Sequence, residues 1–110
     1  MGDISAEMQR VIEKENGFCV VRSLVGHGIG KTLHEDPQIP GYGRKGTGPI
    51  LVEGMTVAIE AIYSESSLDV KMASDGWTYL TEDGSMAGMF EMSVIVGATG
   101  PEVLTDWRKA

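Results

Sequence analysis

Met55-Thr56-Val57-Ala58-Ile59-Glu60-Ala61-Ile62-Tyr63 is the stretch from which the fold can be read. Its branched and aromatic residues favour a pleated strand, and it is apolar on both faces except at Glu60, near its middle. Met89-Phe90-Glu91-Met92-Ser93-Val94-Ile95-Val96 repeats the pattern, a hydrophobic strand with one glutamate embedded in it. Burying a carboxylate costs several kcal/mol unless it is paired, hydrogen-bonded or bound to metal. A lone embedded glutamate is more often edge-exposed or bonded to backbone, but two in a chain of 110 residues call for a common cause.

Both histidines of the chain lie upstream, in Gly26-His27-Gly28-Ile29-Gly30 and Leu33-His34-Glu35-Asp36-Pro37. Glycine at every second position leaves the backbone bare, so a ligand, a metal or a second strand can approach His27 closely. The bland alternative is a glycine-rich strand end with two solvated imidazoles. Glu60, Glu91 and His27 converging from neighbouring strands would make a nitrogen and oxygen site suited to zinc, manganese, iron or cobalt. Two phosphate motifs nearby fail on inspection. Gly30-Lys31-Thr32 ends like a P-loop, but the required first glycine falls on Val25, and Pro37 and Pro40 interrupt any following helix. Gly41-Tyr42-Gly43-Arg44-Lys45-Gly46 matches the dinucleotide pattern by letter, yet leads into a loop ending at Pro49 instead of joining a strand to a helix.

At the N-terminus, Asp3 can cap a helix whose Ile4, Met8, Val11 and Ile12 share one face, and Gly17 closes it. Phe18 to Val25 then reads as one strand, placing His27 at its end. Residues 37–49 hold three prolines and four glycines and are expected to form no regular element. Leu68 to Ala73 and Trp77 to Thr81 flank Ser74-Asp75-Gly76 as a hairpin, Asp83-Gly84 makes the next turn, and Glu102 to Leu104 is a last short strand before a polar tail.

Composition bounds the rest. The chain is the size of one domain, 1–110, with 42% hydrophobic residues. A net charge of −7 with nine scattered basic residues lacks the electrostatic footprint of a nucleic-acid binder. No apolar run approaches the roughly 20 residues of a membrane helix and no signal pattern opens the chain. The single cysteine, Cys19, cannot form an internal disulfide, so a reducing, cytoplasmic setting is expected. Seven methionines, Met55, Met72, Met86, Met89 and Met92 in or beside predicted strands, read as core filling.

In order along the chain, Gly17-Phe18 with Val20-Val21-Arg22, Gly26-His27-Gly28-Ile29-Gly30, His34-Glu35-Asp36-Pro37, Gly54-Met55-Thr56, Ile59-Glu60, Asp75-Gly76-Trp77-Thr78 and Phe90-Glu91 resemble the C-terminal half of a type I methionine aminopeptidase, a member of the creatinase or pita-bread metallohydrolases. The resemblance runs nearly the whole length. It implies an α+β fold, the C-terminal half of a pita-bread domain with an antiparallel sheet backed by helix, the N-terminal half being absent. It implies that His27, Glu60 and Glu91 are metal ligands, Glu91 bridging two ions, and that His34 contacts the scissile peptide and stabilises the tetrahedral intermediate. Leu33 and Trp77 would lie near the pocket for the methionine side chain. The function implied is removal of N-terminal methionine from nascent proteins by metal-activated water, by a fragment or by one half of a split enzyme. A non-catalytic peptide- or ribosome-binding module of the same fold is the alternative. The family's two aspartate ligands and a further substrate histidine lie in the preceding half. Asp3, Asp69, Asp75 and Asp83 are not placed to replace the aspartates, so the 110 residues are expected to hold at most one ion, weakly, and to need a companion half or a second copy. The usual proline after the first metal glutamate is Ala61, the usual histidine after the second is Met92, and Met89 stands where a glutamine is common.

Overall fold

A computed structural model of the chain describes residues 1–109. The helix α1 spans Gly2–Gln9 and continues through a wider π-helical turn, Arg10–Glu15. Eight strands follow: β1 (Cys19–Val20), β2 (Gly26–Ile29), β3 (Glu35–Ile39), β4 (Thr56–Ser64), β5 (Val70–Met72), β6 (Tyr79–Thr81), β7 (Ala87–Val96) and β8 (Pro101–Val103). Antiparallel pairing orders the main sheet β3-β2-β4-β7-β8, with β1 also paired to β4, while β5 and β6 form a separate hairpin between β4 and β7.

The two strands marked by embedded glutamates are neighbours, in continuous register from Thr56↔Ile95 to Ser64↔Ala87. Side chains alternate between faces along each strand and cross-strand partners share one. Val57, Ile59, Ala61 and Tyr63 therefore line one face with Phe90, Met92 and Val94. Ala58, Glu60 and Ile62 line the other with Met89, Glu91 and Ser93. The helix backs the first face, where Val11 and Ile12 share a cavity with Ala61, Tyr63 and Phe90. Ile12, Val20, Val21, Ile39, Val57 and Ala58 make the buried apolar core.

Four expectations need correction. Asp3 is not the cap: Met1 precedes the helix without a side-chain cap bond, and Asp3 sits inside the first turn, where its charge favours the helix N-terminus. Gly17 does close the helix, at φ +71°, with Phe18 N–H bonding back to Ile12 O. The run from Phe18 to Val25 is not one strand. β1 and β2 both pair with β4, but from Val20 to His27 is seven steps while their partners Tyr63 and Ala58 are five apart, so the chain bulges between them, with Arg22 N–H drawn to Leu68 O. His27 in consequence lies inside a strand flanked on both sides, not at a strand's end. Pro37 falls within β3 despite its lack of an N–H, because β3 is the edge of the sheet and needs no donor on its outer side. The irregular loop begins only after Ile39. Among the described residues no helix is long and apolar enough to cross a membrane.

Candidate metal centre

Glu60 and Glu91 are direct cross-strand partners. Like charges in that position destabilise a sheet unless a proton or a cation stands between them. His27 is opposite Ala58, which puts it on Glu60's face, and its Nε2 lies 3.1 Å from Glu60 Oε1. One ligand atom from each of His27, Glu60 and Glu91 can be chosen so that all three lie within 4.8 Å of one another.

The local chain explains why the imidazole is held so firmly. A side-chain carbon at Gly26 would fall 2.3 Å from Ala58 O, and one at Gly28 would fall 2.2 Å from Asp36 O. Of the partners that bare backbone could admit, neighbouring strands are the ones present on both sides. His27 Nδ1 is 2.8 Å from Gly28 O, an acceptor only, so Nδ1 carries the proton and donates it. This leaves the Nε2 lone pair facing a carboxylate oxygen, an arrangement that is attractive only with a proton or metal ion between them. Fixing a ligating histidine through its other nitrogen is the usual support of a metal site. Burial pushes the Glu60 carboxyl above its ordinary range, the Glu91 charge pushes it further, and His27 and His34 oppose both. The donor set and the repulsion it contains fit a divalent cation.

His27 and Glu60 side chains are only 10% and 13% exposed, but Glu91 is exposed. The expectation of two buried carboxylates thus holds for Glu60 alone, because β7 is open to solvent at this height. The His34 ring lies with its centroid 4.3 Å from that of His27, tilted by 55°. Leu33, its neighbour in sequence, is 67% exposed, and Trp77 stands 85% exposed on the turn between β5 and β6. The fold therefore gathers His27, Glu60, Glu91 and His34. Leu33 adjoins the site as His34's exposed neighbour in sequence, and Trp77 is carried on the separate hairpin. Thr32 and Glu35, quoted in the sequence only as members of longer motifs and given no role there, are hydrogen-bonded to each other beside His34. Their Thr-x-x-Glu spacing is the letter pattern of a reciprocal side-chain to backbone cap and was the available signal.

Residues 1–98 match the sequence model of metallopeptidase family M24. The chain belongs to that family. Methionine aminopeptidase of Clostridium perfringens is 50% identical over 103 residues, covering 94% of this M24 chain and 41% of the relative. Methionine aminopeptidase 1 of Bacillus subtilis is 45% identical over 105 residues, covering 96% and 42%. The crystal structure of methionine aminopeptidase from Thermotoga maritima superposes with a TM-score of 0.91 at 48% identity, over 96% of this chain and 42% of that one. The helix-backed antiparallel sheet is thus that of an M24 pita-bread protein, and the chain spans about two fifths of the length of the curated relatives it matches.

Proposed function

We propose that these residues are the C-terminal, metal-holding half of a methionine aminopeptidase, acting on the N-terminal methionine of nascent chains in the cytoplasm. The observation that carries this reading is the register that sets Glu60 against Glu91 with His27 Nε2 at 3.1 Å, a cluster of donors that is self-repulsive without a cation. His27 Nε2, Glu60 and Glu91 would hold a divalent ion, manganese, iron, cobalt and zinc all suiting imidazole with carboxylates. When bound, such an ion supplies Lewis-acid polarisation of a carbonyl and a lower pKa for water. The chain's own residues do the rest. Gly28 O orients His27, and the Glu60 carboxylate, whose Oε1 faces His27 Nε2, would be held ionised as a ligand of the ion. His34, exposed above His27, can donate a ring N–H to the carbonyl oxygen of the scissile peptide as charge develops there. Leu33 and Trp77 offer apolar surface for the methionine side chain.

Three donors from one chain leave a two-metal centre incomplete, so the 110 residues bind one divalent ion, weakly, and turn over Met-Gly or Met-Ala peptides poorly until a companion half supplies further ligands. Calorimetric titration with manganese checks the first statement. One weak ion is expected, and none in Glu91→Ala; two tight ions, or unchanged binding in that variant, would refute the ligand set. Hydrolysis assays with and without a separately expressed N-terminal half of a relative check the second, and robust metal-dependent turnover by this chain alone would sink it.

A further inference from the structure

Among the described residues the His34 ring has no hydrogen-bond partner of its own, yet it sits at a defined 4.3 Å from the His27 ring. A ring's position depends on its backbone as well as on its rotamer, so placing it over His27 in one rotamer requires a fixed backbone. The turn that carries it, residues 30–35, is tied at three points. Gly30 N–H donates to Thr32 O at 3.1 Å. Thr32 N–H donates to Glu35 Oε1 at 2.9 Å. The Thr32 hydroxyl is 3.1 Å from His34 O and 3.3 Å from Glu35 Oε1, so its single proton serves either acceptor. Glu35 is itself anchored, since it opens β3 and pairs with Gly28, the residue whose carbonyl orients His27. Its carboxylate lies beside Gly30, where a side-chain carbon would fall 2.1 Å from Oε2.

We propose that Thr32 and Glu35 are a positioning pair that holds the His34 ring over His27, and this rests on the reading of His34 as the group that meets the peptide. Neither residue touches the triad. They act through the backbone on either side of His34, fixing in advance the Cα–Cβ bond from which its ring reaches over His27. Such preorganisation is what lets a donor stabilise developing charge without first being ordered. Gly30 belongs to the same device, because a side-chain carbon there would push the Glu35 carboxylate out of its present place.

Nuclear magnetic resonance of the isotope-labelled chain tests this. In the wild-type chain the ring protons of His34 should show a cross-relaxation peak to those of His27 and a ring-current shift away from their random-coil position. In Thr32→Val, Glu35→Ala and Gly30→Ala both signatures are lost, while the amide signals of β4 and β7 stay in place. Thr32→Ser and Glu35→Gln, which keep a hydroxyl and an acceptor oxygen, restore them. Should Glu35→Ala disturb β3, Thr32→Val and Gly30→Ala still decide, since both leave Glu35 in the chain. Absence of the peak in the wild-type chain, its survival in Thr32→Val and Gly30→Ala, or its loss in Thr32→Ser would each overturn the proposal. Manganese-induced broadening of the His27 signals reports separately on the metal reading. If broadening fails while the inter-ring peak responds as expected, the assignment of His27 as a metal ligand in this chain falls and the positioning pair stands; if broadening occurs but the peak ignores Thr32→Val and Glu35→Ala, only the positioning pair falls.

Discussion

The two flanks of the candidate centre are built to different standards. On the β2–β4 flank, His27 and Glu60 are nearly enclosed, with Val57 and Ala58 fully buried beside them and Gly26 and Gly28 in backbone contact with both neighbours. On the β7 flank, Glu91 is exposed, and Met89 and Phe90 on either face of the strand are 55% and 61% exposed. One ladder joins the flanks, so the contrast does not arise from secondary structure. It arises from what lies beyond their shared ladder: β4 has β1 and β2 on its far side, whereas among the described residues β7 has there only the three-residue β8, paired at Val94 to Val96. This chain therefore preorganises one imidazole and one carboxylate completely, and leaves the second carboxylate on a surface that another body can cover.

If that division is real, truncations on the two flanks should differ severalfold in cost. Ile39→Ala, in the buried core next to β2, is expected to destabilise by about 2–5 kcal/mol through lost burial and a residual cavity. Phe90→Ala, 61% exposed, should cost well under that, on the order of 1 kcal/mol or less. Urea denaturation midpoints measure both. Equal costs would mean that Phe90 is covered in solution and that the flanks are alike.

The β4–β7 side of this comparison was legible in the sequence, and most of the other was not. Two long apolar strands with one glutamate each could be recognised from composition alone, and both were found within two residues of their expected ends. The glutamates' equivalence was visible; their unequal burial was not, because exposure depends on the neighbours of β7 and a strand's own letters do not name its neighbours. Pro37 masked β3, since proline argues against a strand except at an edge, and edge position is a property of the assembled sheet. The break between β1 and β2 escaped because Val21 is a good strand residue whose N–H still bonds Ile62 O; the bulge follows from the register of β4 on its far side. The π-helical turn is likewise invisible to a 3.6-residue period, although it holds Glu13, which accepts bonds from Arg22 at 2.7 Å and Gln9 at 2.8 Å.

A smaller effect is expected from association. From Ala87 to Met92 the outer edge of β7 has no strand partner among the described residues, and an unpaired edge beside exposed Met89 and Phe90 favours pairing with another chain. A homodimer in which a second copy takes the place of a companion half is the expected state at micromolar concentration, with dissociation on dilution. Light scattering coupled to size exclusion measures it. A monomer at every concentration would show that the β7 flank is closed from within the chain, which removes the basis for the contrast.

The finest test of the contrast is electrostatic. Glu60 is the group whose carboxyl is pushed above its ordinary value of 4.5, by burial first and by the Glu91 charge second. In the metal-free chain, at pH values between 4.5 and the raised folded value, the native state keeps a proton on Glu60 that the unfolded state has released. Unfolding then releases a proton, so stability falls as pH rises through that window and levels off above it. Acidification toward 4.5 should in this respect stabilise the metal-free protein, opposite to the usual behaviour of paired carboxylates. Glu60→Gln mimics the protonated form, so it should remove this slope and leave the variant more stable than the wild type above the window. A saturating divalent ion should abolish the slope in the wild type as well, because a cation then takes the place of the proton between the carboxylates. Urea midpoints of the wild-type and Glu60→Gln chains, measured from pH 4.5 to 8 with and without manganese, give the comparison directly. Parallel curves for the two chains in the absence of metal would show that Glu60 is as freely solvated as Glu91, and the two flanks would then be equally open.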